Sequence, residues 1–144
     1  MLILQCTKKL EDELKVSLQN IIPIGSDGLY SWHANLFIYN RRKCAIIMND
    51  KTRFCFILYG LKKEHVKDFD RVVKAAIAEN LAAEGIEQAI IDKYFQESGS
   101  ILYTKTSDRS TLGQMNDMVF MATQVYLEKT INISIYYGNV TISI

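Results

Sequence analysis

Residues 34–59, which read ANLFIYNRRKCAIIMNDKTRFCFILY, decide the fold of this chain. Three apolar runs, at 34–40, 43–48 and 53–59, are rich in the β-branched and aromatic residues that favour strands. Short polar turns separate the runs, and connections of this length join strands that run antiparallel to each other. The stretch therefore predicts an antiparallel meander of three strands.

Helical spacing of apolar residues dominates the sequence after the meander. Long amphipathic helices are predicted over about 63–84 and 108–129, with a shorter helix over 87–97 between them. The smaller predicted elements are a strand at 1–6, a helix at about 7–16 and a strand at 101–104. The predicted fold class is therefore α+β, an antiparallel sheet built around the meander with helices packed on it.

Alternating apolar residues mark the C-terminal segment, where Gly138-Asn139 provides a two-residue turn of the kind that closes a β-hairpin. The chain is thus predicted as a single domain over 1–144, with a body at 1–130 and a hairpin extension at 131–144. An isolated hairpin is marginal in water. Its apolar face therefore predicts either a homodimer through this segment or packing on the chain's own core or sheet edge.

The composition excludes several classes of protein. With 49% hydrophobic and 23% charged residues the chain is an ordinary globular sequence, and its net charge of +1 argues against binding nucleic acid through overall charge. No apolar run approaches the roughly 18 residues of a membrane span. The start of the chain lacks the features of a signal peptide. The three cysteines, Cys6, Cys44 and Cys55, have no paired spacing, which predicts reduced, buried thiols and a cytoplasmic location.

No complete catalytic signature is present. The two histidines, His33 and His65, stand in no metal-binding spacing, and no phosphate-binding loop or nucleophile elbow occurs. The sequence therefore predicts neither a metal site nor a cofactor.

The polar segment at 105–117 runs from a strand into a helix and predicts an anion site, because the first N–H groups of a helix lack partners of their own. Gly113 costs up to about 1 kcal/mol relative to alanine inside a helix, which indicates close approach by a ligand or by another helix. The ligand-binding residues predicted in this segment are Lys105, Arg109, Ser110, Asn116 and Asp117.

Two further groups are candidates for ligand binding. Trp32, His33 and Asn35, just before or within the first meander strand, can stack on and hydrogen-bond a base or ring; the alternative is a core tryptophan with a surface histidine. Arg41 and Arg42, in the first meander turn, can contact phosphates; the alternative is a solvated turn.

Several short motifs are distributed along the chain: Cys6–Leu10, Trp32–Leu36, Arg41–Cys44, Asn49–Arg53, Lys105-Thr106, Arg109-Ser110 and Leu112–Asp117. Taken together, these motifs resemble those of a family of small bacterial proteins that carry a domain of unknown function. The resemblance runs from the first strand to about Met121 and does not extend to residues after Thr130. Because that family brings no established activity, the resemblance informs the fold and its boundaries only.

The function that these residues predict is non-enzymatic binding of a phosphorylated ligand, either a nucleotide or a nucleic-acid segment. One alternative is an enzyme acting on such a ligand, with Asp117 or His33 as general base. Another is a protein–protein interaction module that captures a host or phage protein. If one site exists, Trp32 or His33 should share a groove with the Arg41–Lys43 turn and with Arg109 or Asn116.

Overall fold

The structure is a computed structural model that describes residues 1–20, 28–106, 108–126, 134–135 and 140–143. The five strands of its main sheet are β1 (Leu2–Cys6), β2 (Ser31–Tyr39), β3 (Arg42–Asn49), β4 (Cys55–Tyr59) and β5 (Ile101–Lys105). The helices are α1 (Lys8–Leu14), α2 (Lys63–Lys67), α3 (Phe69–Ala83), α4 (Gln88–Ser98) and α5 (Arg109–Met121). The predicted α+β class is confirmed.

The predicted meander is confirmed, since β2, β3 and β4 pair antiparallel in chain order. Its first turn consists of Asn40 and Arg41, both with positive φ (53° and 63°), as a two-residue type I′ hairpin requires. β2 begins earlier than predicted, at Ser31. Trp32 and His33 therefore lie inside a strand, with their side chains on opposite faces of the sheet.

The predicted antiparallel sheet is confirmed for the meander, but the whole sheet is mixed, because β1 runs parallel to both of its neighbours, β2 and β5. The order of the main sheet is β5-β1-β2-β3-β4. Parallel pairs need a crossover connection. The chain makes two such crossovers. One joins β1 to β2 and includes α1. The other, which includes α2, α3 and α4, leads from β4 to β5, the second parallel neighbour of β1. All five residues of β1 are buried, as is typical of a strand between parallel partners.

Helices cover both faces of the sheet. On one face, β1, β2 and β4 direct Leu4, Trp32 and Phe56 into a core that also contains Leu10 of α1 and Ile77 of α3. We call this the α1–α3 face. On the opposite face, which we call the α5 face, Ile46, Ile57 and neighbouring side chains pack against Met115.

Two predicted helices differ in detail from those observed. The single helix expected over 63–84 is interrupted at Asp68, whose backbone leaves the helical region (φ −125°, ψ 45°). The last predicted helix is α-helical to Met121 and continues as a π-helix over Ala122–Tyr126. In the described part of the chain, no helix is long and apolar enough to cross a membrane.

Two short strands, β6 (Ser134–Ile135) and β7 (Val140–Ser143), follow near the end of the chain. β7 pairs in parallel with β4, and β6 pairs antiparallel with β7. The turn that the sequence places at Gly138-Asn139 lies outside the described residues, as does most of 131–144. The hairpin extension therefore stays a prediction.

Candidate functional site

The structure separates the residues that were predicted to share one groove. Trp32 is buried in the core of the α1–α3 face, where its indole N–H donates to the Tyr94 hydroxyl (2.9 Å). The core interpretation of Trp32 is therefore the correct one. His33 points to the α5 face and is 1% exposed, so the expectation of a surface histidine is wrong.

Arg41 and Arg42 lie at the far end of the same strand. The seven residue steps from Trp32 to Tyr39 extend roughly 23 Å in a β-strand, and the turn comes after them. The shared groove predicted from the sequence is thus wrong, because an extended strand carries these two groups apart.

Lys105 and Arg109 belong to different faces of the sheet. Lys105 pairs with Cys6, whose side chain lies in the core of the α1–α3 face, and strand alternation directs Lys105 to that side. Arg109 begins α5, which covers the other face. Four residues at the start and along the outer side of α5 are exposed: Arg109, Ser110, Asn116 and Asp117.

The free N–H groups at the start of α5 already have a hydrogen-bond acceptor within the chain. The carboxylate of Asp108 accepts hydrogen bonds from the backbone N–H of Ser110 (3.0 Å) and Thr111 (3.2 Å), and from the Thr111 hydroxyl (3.0 Å). These hydrogen bonds lower the pKa of Asp108 below its usual value, and the bonds from Thr111 have the largest effect. An external anion would have to compete with this cap.

Gly113 has no close neighbour from elsewhere in the described part of the chain. Apart from its chain neighbours and the backbone of its own helix, a Cβ built on Gly113 would meet no atom within 4 Å. Packing against another described helix therefore does not explain this glycine.

Arg41 and Arg42 do line a cleft, on the α1–α3 face. We call it the basic cleft; its volume is about 720 Å³. Apolar and aromatic side chains from α1, α3 and β5, among them Leu14, Phe69 and Tyr103, also line it. Its cationic residues, which are all exposed, are Lys15, Arg41, Arg42, Lys43, Lys62, Lys63 and Lys67.

Two carboxylates, Glu13 and Asp70, also line the basic cleft, and both are engaged. Glu13 pairs with the Lys43 ammonium at 2.9 Å. Asp70 accepts a hydrogen bond from the Tyr103 hydroxyl. Burial and this neighbouring carboxylate raise the pKa of Tyr103. The described lining residues thus leave a clear excess of positive charge facing the cleft.

A second group of polar residues, which we call the polar cluster, lies on the α5 face and consists of Gln5, His33, Asp50 and Thr104. The Asp50 carboxylate contacts both His33 and Gln5. Nδ1 of His33 lies 2.6 Å from Oδ1, and the amide nitrogen of Gln5 donates to Oδ2 at 2.7 Å. By strand register, Thr104 and His33 flank Gln5 in one row across β5, β1 and β2.

Three buried side-chain atoms near this row have no hydrogen-bond partner among the residues that the structure describes: Nε2 of His33 and the hydroxyl oxygens of Thr104 and Thr106. The turn between β3 and β4 is joined to the start of α5, because Arg53 of this turn donates a hydrogen bond to the Thr111 hydroxyl at 2.8 Å. Asn35, also predicted as a ligand-binding residue, accepts a hydrogen bond from the Thr7 hydroxyl (2.6 Å).

Sequence reasoning missed Gln5 and Asp50 as site residues. Gln5 had a usable signal, because it is the only polar residue between Leu2 and Cys6 in a strand that is otherwise apolar. Asp50 had none of its own, because its contact with His33 depends on the register of β2 and β3. Lys62, Lys63 and Lys67 were missed because they form a cluster with Arg41 only in the folded chain.

Within the described residues, no group of three or more histidine, cysteine, aspartate or glutamate side chains is arranged to hold a metal ion. The three cysteines are buried thiols that form no disulfide, as the sequence predicted.

Comparison with known proteins identifies the family. The chain belongs to the family described as a domain of unknown function (DUF6933), which matches residues 3–142. The match includes most of the C-terminal segment that lies outside the resemblance drawn from the motifs. No curated protein and no solved structure matches the chain.

Proposed function

We propose that this protein binds a phosphorylated ligand, a nucleotide or a nucleic-acid segment, in the basic cleft. The observation that carries the proposal is the charge of this cavity, whose lining includes seven cationic side chains and two carboxylates that are already engaged. A volume of about 720 Å³ lies within the range of ligand pockets. A concave surface with one sign of charge attracts an oppositely charged ligand.

The kinds of residue in the cleft favour phosphate and an attached ring. Arginine presents a planar fork of donors that matches phosphate oxygens, and Arg41 and Arg42 supply two such forks. Arg42 also lies over the ring of Tyr59, with its guanidinium carbon 5.9 Å from the ring centroid. The apolar and aromatic lining, including Phe69 and Tyr103, provides a surface for the uncharged part of a nucleotide.

The test compares two double variants that each remove one arginine and one lysine. Arg41→Gln with Lys63→Gln alters the basic cleft, whereas Lys105→Gln with Arg109→Gln alters the site predicted from the sequence. Calorimetric titration with ATP and with a short single-stranded oligonucleotide should show at least tenfold weaker binding for the cleft variant, about 1.4 kcal/mol. The control variant should bind within about twofold of the wild type.

Two results would contradict the proposal. One is the absence of binding to the wild-type protein by any member of a panel of nucleotides and oligonucleotides. The other is loss of binding in the control variant while the cleft variant binds normally. That result would place the binding site at the start of α5.

An enzymatic function is the second candidate, and the contact between Asp50 and His33 favours it. A carboxylate that holds one imidazole nitrogen leaves the other free to act as a general base. Asp117, the other predicted base, is exposed on α5. Hydrolysis of a nucleotide by the wild type and its loss in His33→Gln would support this candidate.

Self-association through the C-terminal segment is a separate proposal. β7 lies along β4, so part of this segment extends the main sheet within one chain, and β6 is the outer strand available to a second copy. Light scattering at high protein concentration tests it, because a monomer there would exclude the homodimer. Capture of another protein through the same edge predicts a monomer that binds its partner.

A further inference from the structure

The two carboxylates that line the basic cleft differ in how their charge is balanced. Glu13 is paired at both oxygens, because the Lys43 ammonium lies 2.9 Å from each of them. Asp70 instead accepts a hydrogen bond at Oδ1 from the phenol of Tyr103, which is neutral. None of the ion pairs among the described residues includes Asp70. Asp70 therefore keeps its negative charge inside a cleft that is otherwise cationic.

The contact with Tyr103 fixes the orientation of Asp70 and leaves it able to accept another hydrogen bond. Burial, and then the Asp70 carboxylate, raises the pKa of Tyr103, so the phenol stays protonated at neutral pH and acts as a donor. The phenol occupies Oδ1, and an ionised carboxylate has acceptor sites on both oxygens. Asp70 lies in the first turn of α3 and is exposed, so a ligand in the cleft can reach it.

A carboxylate restricts which part of a phosphorylated ligand can lie beside it. Like charges repel, so the phosphate belongs with the cations and Asp70 faces an uncharged group that donates. Lys67, one of those cations, precedes Asp70 by three residues, so their Cα atoms are at most about 10 Å apart. The donor must therefore lie close to the phosphate in the ligand. In a nucleotide that neighbour is the sugar, whereas the donors of the base lie farther away.

We propose that the ligand of the basic cleft is a ribonucleotide, free or within an RNA strand, and that Asp70 accepts a hydrogen bond from its ribose 2′-hydroxyl. This inference rests on the proposed function, because it takes the phosphate to be held by the cations of the cleft. Carboxylates bind the same hydroxyl in dinucleotide-binding folds. Tyr103 is a positioning residue, because its phenol orients the carboxylate. A deoxyribonucleotide lacks the donor that Asp70 requires.

The measured quantity is a ratio of dissociation constants, that of 2′-deoxy-ATP divided by that of ATP, from calorimetric titration of the full chain. A DNA and an RNA oligonucleotide of the same sequence form a second pair of probes. We expect a ratio of about ten in at least one pair, which corresponds to about 1.4 kcal/mol. A preference confined to the mononucleotides identifies the ligand as a free nucleotide, and one confined to the oligonucleotides identifies it as RNA.

Two matched variants separate the hydrogen bond from the charge. Asp70→Ala and Glu13→Ala each remove one carboxylate from the lining, so both should strengthen the binding of phosphate in general. Only Asp70→Ala should bring the ratio to within about twofold of one, whereas Glu13→Ala should retain the ratio of the wild type. Tyr103→Phe, which leaves the carboxylate without its orienting donor, should give an intermediate ratio. A change in folding alone would not alter the ratio.

The possible failures of this inference and of the proposed function are distinguishable. If the wild type binds the probes with a ratio below about two in both pairs, the cleft binds phosphate without recognising ribose, and the inference is wrong. A ratio in Asp70→Ala equal to that of the wild type would also overturn it, because the hydroxyl would then be recognised by another residue. Absence of binding by all four probes would contradict the proposed function itself.

Discussion

Replacement of Asp50 by alanine should destabilise the protein substantially, because two buried donors lose their common acceptor. Nδ1–H of His33 and the amide of Gln5 each donate to the Asp50 carboxylate. Hydrogen bonds to a charged group contribute roughly 1.5–3 kcal/mol each, so complete loss of both amounts to about 3–6 kcal/mol. Since the Asp50 side chain is 26% exposed, water can replace part of this, and we expect a loss of about 2–4 kcal/mol.

The assay is chemical denaturation followed by circular dichroism, with the free energy of unfolding obtained by linear extrapolation. Asp50→Asn keeps one carbonyl acceptor for His33 and should lose about half as much. Asp117→Ala, which removes an exposed carboxylate from α5, should change the free energy by less than about 0.5 kcal/mol. A loss below about 1 kcal/mol in Asp50→Ala would refute the arrangement of the polar cluster.

Three further predictions follow from local geometry. Asp108→Ala should cost about 1 kcal/mol at neutral pH through loss of the helix cap; because the folded-state pKa of Asp108 is depressed, the difference from wild type should be full above its unfolded pKa and vanish as the pH falls through the folded value. Gly113→Ala should raise the stability by about 0.5–1 kcal/mol, measured as a melting temperature roughly 2–4 °C higher, because the position is helical and open. Thiol titration of the native protein should be slow at all three cysteines, since burial raises the pKa of Cys6 and Cys55 to about 12 and also raises that of Cys44; fast labelling at pH 8 would contradict this.

The sequence predicted elements where the signal is local. The meander, the helix at 87–97 and the strand at 101–104 are defined by spacing and turn residues within a few positions. The structure contains each of these elements, and every boundary lies within three residues of the predicted one. The interruption at Asp68 had no such signal, because the apolar spacing continues through it from Val66 to Phe69.

The arrangement of strands was harder to predict because it depends on contacts between distant parts of the chain. β1 acquires parallel neighbours only after the chain has crossed over through helices, and no residue of β1 specifies which strands those are. The same limit applies to the candidate sites. The contact of Asp50 with His33, and the grouping of Arg41 with Lys63 and Lys67, both require the tertiary fold.

Strand alternation explains why the single site expected from the sequence becomes two. Neighbouring residues of a strand point to opposite faces, so a compact polar motif in sequence is divided between the two sides of the sheet. Trp32 enters the core on the α1–α3 face while His33 joins the polar cluster, and Thr104 and Lys105 are divided in the same way. Each short motif thus contributes side chains to both faces of the sheet. A substitution that alters the polar cluster can therefore be made without changing any residue of the basic cleft, so ligand binding in the cleft and catalysis by His33 can be tested separately.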